Sequence, residues 1–323
     1  MNSSRKIAVV TGASSGIGAI YADRLARRGY DLLLVARRGE RLQTLAARLE
    51  QAYDVKAETL VADLEQEADL TRLETVLASN PAIRVLVNNA GIARLSQVAD
   101  ASPQDSLSQI ALNITALTRL THAVLPAFKA RNNGVIINIA SALALHALPV
   151  SAVYSGTKGF VLHFSRGLQQ ELANTGIRVQ VVLPAATATD LWDISGVPLA
   201  ALAPDTVMSV EHLVDAALAG FDQGESVTLP SMADTALWER YDTARAELFA
   251  AMQTGQPAPR LLALRAQSGS APLLPSGLTQ PRHPGNVYEQ PTLHPHPTRQ
   301  PVAEEPHRHG AADAQPRDRQ PAQ

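Results

Sequence analysis

The chain has 323 residues, enough for one large domain or two small ones, and 46% of them are apolar, which can build a sizeable core. Aromatics are only 4%, so that core falls to Ala, Leu and Val, and a net charge of -2 gives no electrostatic case for nucleic acid or an anionic membrane surface. With no cysteine, disulfides, thiolate metal sites and a cysteine nucleophile are excluded.

The opening residues, Met1-Asn2-Ser3-Ser4-Arg5-Lys6, run straight into the strand-like Ile7-Ala8-Val9-Val10. No apolar signal region follows the basic residues, and no apolar run approaches the ~18 residues of a membrane span. A cytoplasmic protein with no membrane partner is expected. Short, near-continuously apolar runs at 7–10, 32–35, 57–61, 85–88, 135–139, 178–183 and 226–229 read as strands covered on both faces. Between and after them, 16–28, 40–53, 66–79, 104–130, 152–175, 210–222 and 233–253 read as helices. The 104–130 segment carries its helical period in Leu107, Ile110, Ile114, Leu117, Thr121, Val124 and Phe128. Strand then helix, repeated, predicts an α/β fold with a doubly wound parallel sheet. This domain is expected over residues 1–255. From 256 to 323 proline is dense, Gln, Arg and His are scattered and apolar periodicity is lost, so a disordered tail is expected. The tail histidines (His283, His294, His296, His307, His309) lack an ordered scaffold to fix them, and no metal site is expected.

The first strand ends in Thr11-Gly12-Ala13-Ser14-Ser15-Gly16-Ile17-Gly18 and leads into a helix. Glycines allow a tight turn, and free N–H groups at a helix start favour an anion, so this turn is a candidate dinucleotide phosphate site. The second strand ends at Ala36, where an acidic residue would hold the ribose hydroxyl of NAD; Arg37 and Arg38 follow and suit a 2′-phosphate. NADP(H) is therefore favoured over NAD(H). Tyr154 and Lys158, in Val153-Tyr154-Ser155-Gly156-Thr157-Lys158, lie one helical turn apart. A nearby cation is expected to lower the phenol pKa toward neutral.

Taken together, these residues resemble the short-chain dehydrogenase/reductase family over about 5–250. The cofactor turn matches Thr11 to Gly18. Asp63, in Val61-Ala62-Asp63-Leu64, matches the acidic residue that meets the adenine. Asn88-Asn89-Ala90-Gly91 matches the motif after the fourth strand. Asn113, Ser141, Tyr154 and Lys158 match the catalytic set. The resemblance implies a single Rossmann-type domain with a seven-stranded parallel sheet, assembled as a homodimer or homotetramer through the two long helices. It also implies hydride transfer between nicotinamide C4 and a carbonyl or alcohol carbon. In that chemistry Tyr154 is the general acid/base and Ser141 holds the oxygen. Lys158 binds the nicotinamide ribose and tunes Tyr154, while Asn113 holds a water at a local helix break. The implied cofactor contacts are Gly12, Ser14, Ser15, Gly16, Ile17, Gly18, Arg37, Arg38, Asp63, Leu64, Asn89, Ala90, Gly91, Tyr154, Lys158, Pro184, Thr187 and Thr189. After the sixth strand the family's Pro-Gly is replaced by Pro184-Ala185, and either Thr187 or Thr189 can serve the carboxamide.

Substrate candidates are Ser141, Leu143, His146, Leu148 and Pro149, then Leu191, Trp192, Ile194 and Val197. Most are apolar, as a hydrophobic ketone, aldehyde or alcohol requires. Gly196, Pro198 and Pro204 mark 188–210 as a mobile lid. The contrasting reading is a non-catalytic NADP-binding regulatory or structural subunit.

Overall fold

The computed structural model of the protein describes residues 6–262. Seven strands, β1 (Ile7–Thr11), β2 (Asp31–Ala36), β3 (Ala57–Val61), β4 (Ile83–Asn88), β5 (Gly134–Ile139), β6 (Ile177–Val182) and β7 (Val227–Thr228), form one parallel sheet in the order β3-β2-β1-β4-β5-β6-β7. The seven-stranded α/β architecture expected from the sequence is the one observed. The inner strands are buried along nearly their whole length, which is why they read as near-continuously apolar. In the edge strand β3, Glu58 and Thr59 are exposed.

Helices cover both faces. On one face α1 (Gly16–Arg27), α2 (Gly39–Ala52) and α8 (Val210–Gln223) bury Tyr21, Leu25, Leu42, Leu49, Val214 and Leu218 against the strands. On the other, α3 (Glu67–Ser79), α5 (Leu117–Ala130) and α6 (Ala152–Glu171) bury Leu73, Leu77, Leu120, Val124, Phe128 and Leu168. Each large side chain buried this way contributes about 1.5–3 kcal/mol. The chain winds outward from β1 to β3, then returns to place β4 on the other side of β1. The carboxyl ends of β1 and β4 therefore frame a crevice, the usual ligand position in such sheets.

The region 104–130 is not one uniform helix. It comprises α4 (Pro103–Ile110), a π-helical segment Ala111–Ala116, and α5. Ser102 caps α4 by accepting from Asp105 N at 3.0 Å. The widened turn changes which side faces inward. Before it Leu107 and Ile110 are exposed and Gln109 is buried; after it Leu117, Thr121, Val124 and Phe128 are buried. The expected single apolar stripe is thus broken into two registers. The sixth helix also stops at Glu171 rather than near 175.

Two more α-helices are α7 (Leu191–Ser195), after β6, and α9 (Ala236–Ala251), after β7. One compact unit runs to Glu247 and a second begins at Leu248. Most of the expected tail, 263–323 with its histidines, lies outside the described residues. Among the described residues no helix is long and apolar enough to cross a membrane.

Candidate active site

The turn after β1 is built by glycines that tolerate no side chain. Gly12 and Gly16 have φ of 66° and 55°, in the left-handed region. A Cβ on Gly18 would overlap the Gly12 carbonyl oxygen and come within 2.5 Å of Asn89 Nδ2. The turn is locked to the loop after β4. Thr11 Oγ1 accepts from Asn89 N and Ala90 N, both at 3.0 Å, and donates to Val87 O at 3.2 Å, while Asn89 Nδ2 donates to Thr11 O at 2.9 Å. Asp63 turns the chain after β3, its carboxylate accepting from Glu65 N at 3.2 Å, and Leu64 is buried beside it. Gly18→Ala is expected to destabilise the protein by about 1–3 kcal/mol and to weaken nucleotide binding, because the turn must open. Thermal unfolding and a nucleotide titration check both effects, and an unaltered variant would mean the turn is not close-packed.

Cationic donors converge on this turn. Arg38, just beyond β2, donates to Ser14 Oγ at 3.1 Å and Ser15 Oγ at 2.5 Å. The same guanidinium meets Asp190 at 3.1 Å, and Arg41, in the first turn of α2, meets the same carboxylate oxygen at 2.9 Å. Arg37 is exposed next to them. A backbone cradle that a Cβ would fill, with serine hydroxyls and guanidiniums along its rim, fits the phosphates of a dinucleotide.

The second half of the site lies at the ends of β4, β5 and β6. Ser141 follows β5, buried, its Oγ accepting from Leu143 N at 3.1 Å. Its neighbour Ala142 donates to the carbonyl of buried Pro184 at 2.7 Å, which joins the β5 and β6 loops. Tyr154 and Lys158 lie on the first turns of α6. Lys158 is buried, and its Nζ donates to Ile139 O at 2.9 Å and lies 5.7 Å from the centre of the Tyr154 ring. Asn113 sits in the π-helical segment, where the expected local break in the helix is present. Its Oδ1 accepts from Ile92 N at 2.9 Å, and its Nδ2 donates to Ile92 O at 2.9 Å and Thr157 Oγ1 at 3.0 Å. Asn113 Oδ1 and Lys158 Nζ border the same space over Gly91, 3.0 and 3.5 Å from where a Cβ there would sit. Beneath, Asn88 donates to Asn138 at 2.9 Å and Asn138 to Ser165 at 2.9 Å, tying β4, β5 and α6 together in the dry interior.

The electrostatics correct one expectation. Burial pushes the Tyr154 phenol up to about 12, with the Ser141 hydrogen bond pulling partly the other way, rather than down toward neutral. Burial also pulls Lys158 down to about 8. The lysine turns to the Ile139 carbonyl and makes no direct bond to the phenol, so desolvation prevails over attraction.

The segment after β6 divides the two threonines. Thr187 is buried, donates to Ala185 O at 3.1 Å and bridges to Met208. Thr189 instead faces the phosphate turn, 3.3 Å from where a Cβ on Gly16 would sit. Trp192 donates to Thr187 O at 2.7 Å, which fixes the indole at the start of α7. Leu143 is half-buried and His146 exposed on the β5–α6 connection. Sequence reasoning missed Thr157, Arg41 and Asp190 as site residues. Thr157 lies between Tyr154 and Lys158, but its bond to Asn113 has no local signature.

A family model, short chain dehydrogenase, matches residues 6–195. Very-long-chain 3-oxoacyl-CoA reductase-A of Danio rerio is 39% identical over 211 residues, covering 64% of this chain and 66% of that protein. The chain thus spans just under two thirds of that relative's length. Among solved structures, a short-chain dehydrogenase from Sphingobium yanoikuyae in complex with NADPH is 45% identical with a TM-score of 0.76, over 79% of this chain and 99% of that one. The bulky-bulky ketone specific alcohol dehydrogenase from Comamonas testosteroni is 40% identical with a TM-score of 0.73, over 80% and 98%. The matched span contains the phosphate turn, Asn113, Ser141, Tyr154 and Lys158 on a sheet of the same architecture, and on that ground the chain belongs to the short-chain dehydrogenase family.

Proposed function

We propose that the protein is an NADP(H)-dependent oxidoreductase that reduces bulky apolar ketones to secondary alcohols, with Tyr154 as proton donor. The observation that carries this reading is a half-buried phenol set one turn from a buried lysine, with desolvation keeping its proton on. A carbonyl oxygen gaining negative charge needs a donor that still holds its proton at neutral pH. Tyr154 meets that need, and Ser141 holds the same oxygen in line. When bound, the nicotinamide supplies the hydride. Lys158 would hold its ribose hydroxyls. Asn113 fixes Ile92 and Thr157 around Lys158.

Gly12, Gly16, Ile17 and Gly18 would hold the pyrophosphate, Asp63 and Leu64 would meet the adenine, and Asn89, Ala90 and Gly91 would line the same cofactor cleft. Pro184 and Thr187 would flank the nicotinamide side, while Thr189 lies against the phosphate turn. Arg38, spread over Ser14 and Ser15 with Arg37 beside it, favours the 2′-phosphate of NADP(H) over NAD(H). Arg38→Ala is expected to raise the NADPH KM roughly ten- to a hundredfold while leaving the NADH KM within about threefold. Equal effects on both would remove the 2′-phosphate argument.

Leu143, Leu148, Trp192 and Ile194 give the substrate side an apolar lining, with His146 at its edge. The likeness to a bulky-bulky ketone specific alcohol dehydrogenase, 40% identical over 98% of that chain, supports a large ketone. A second reading, a 3-oxoacyl thioester, is supported by the Danio rerio relative. Steady-state assays of diaryl ketones, small ketones and 3-oxoacyl thioesters with NADPH separate the two by kcat/KM. NADPH binding with no turnover on any of them would instead favour a non-catalytic subunit. A homodimer or homotetramer is proposed, with exposed Leu107, Ile110 and Phe160 on α4 and α6 as its contact.

A further inference from the structure

Asp190 immediately precedes α7, in the segment that follows β6. Its carboxylate reaches back to the phosphate turn. One oxygen, Oδ2, accepts from Arg38 at 3.1 Å and from Arg41 at 2.9 Å. Arg38 also donates to Ser14 and Ser15, the hydroxyls at the rim of the glycine cradle. Two guanidiniums that share one oxygen of a single negative charge form a donor set with capacity to spare, and a planar fork matches phosphate at least as well as carboxylate. The three side chains are about half exposed, at 44%, 55% and 50%. Ion pairs at that exposure are weak and readily exchanged. A phosphate monoester carries about -1.5 to -2 and three acceptor oxygens, so it outcompetes a lone carboxylate for the same donors.

We propose that Asp190 is an internal competitor for the 2′-phosphate of NADP(H): it occupies the guanidiniums of Arg38 and Arg41 until that phosphate displaces it, and so sets the affinity for the phosphorylated cofactor. The inference rests on the NADP(H) reading above. It adds Arg41 as a second guanidinium of the 2′-phosphate site and makes a residue of the segment after β6 a determinant of cofactor choice. Neutralising Asp190 removes both the competition and a negative charge beside the incoming phosphate. NADH, which lacks the phosphate, has nothing to displace.

The test is isothermal titration calorimetry of the full chain with adenosine 2′,5′-bisphosphate and adenosine 5′-monophosphate, then with NADPH and NADH. Asp190→Asn is expected to tighten the bisphosphate and NADPH by roughly three- to tenfold and to leave the monophosphate and NADH within about twofold. Arg41→Gln is expected to weaken only the 2′-phosphorylated ligands. Asp193→Asn, an exposed acidic side chain on the same short helix, controls for general charge and is expected to change nothing. Unchanged or weaker bisphosphate binding in Asp190→Asn would overturn the proposal. So would equal tightening of both nucleotides, or the same gain in Asp193→Asn. If wild type prefers the bisphosphate and Asp190→Asn does not respond, the competition alone falls. A wild type that binds both nucleotides equally removes the NADP(H) reading and the competition with it.

Discussion

Tyr154→Phe is expected to lower kcat by about a hundred- to ten-thousandfold, the range contributed by a positioned general acid. Nothing else in the site can replace the lost proton. Ser141 Oγ is held in a turn by Leu143 N, and Lys158 Nζ points to Ile139 O. The ring itself is retained, so packing on α6 is preserved, and stability should change by no more than about 1 kcal/mol, the value of one hydrogen bond. NADPH binding should stay within about threefold, less than 1 kcal/mol. A stopped assay of kcat alongside a fluorescence titration of NADPH reads both quantities. Turnover close to wild type would remove Tyr154 from the chemistry.

Lys158→Met is expected to act in opposite directions on activity and stability. Turnover should fall sharply, since the ribose loses its cationic holder. Yet the cofactor-free protein should become more stable at pH 7. Burial holds the Lys158 pKa at about 8 against an ordinary 10.5, a gap of about 3 kcal/mol against folding with the amine charged. Loss of the bond to Ile139 O returns about 1 kcal/mol of that, leaving a net gain of about 2 kcal/mol. The sign follows from proton counting. Between about pH 8 and 10.5 the unfolded lysine binds a proton that the folded one has released, so wild-type stability rises with pH and the penalty fades. Tyr154 acts oppositely and later: its folded pKa of about 12 lies above the ordinary 10, so its contribution falls as pH rises from about 10 to 12. The advantage of Lys158→Met should therefore be full at pH 7 and shrink by pH 9.5, followed by calorimetric melting. A variant less stable than wild type at both pH values would contradict a charged, desolvated lysine.

Much of this site was legible because its signals are local. The phosphate turn is one uninterrupted stretch, and Tyr154 and Lys158 are an i, i+4 pair whose nearness follows from helical pitch. The strands were legible because burial on both faces leaves unbroken apolar runs, and even β3, with exposed Glu58 and Thr59, kept enough of the pattern. What failed to read out was side-chain direction and long-range meeting. Helical spacing places Lys158 near Tyr154, but not its turn toward Ile139 O, so the expected fall in the phenol pKa was replaced by a rise. The apolar spacing of Leu107, Ile110, Ile114 and Leu117 continues through the π-helical segment, and nothing in it marks where the buried face shifts. The choice between Thr187 and Thr189 depended on the path of the chain after Pro184, which placed Thr187 in a bridge to Met208 and Thr189 over Gly16. Asp190 meets Arg38 across 152 positions of sequence, and no pattern in either segment points to the other.

The central claim is that hydride passes from NADPH to the carbonyl carbon of a bulky ketone, with the proton supplied by Tyr154. The most direct measurement supplies wild-type protein with C4-deuterated NADPH and a diaryl ketone, and locates the label in the product by mass spectrometry and NMR. The account predicts a secondary alcohol with deuterium on the carbinol carbon. Alcohol without label on that carbon, or no alcohol from any ketone despite tight NADPH binding, would contradict it.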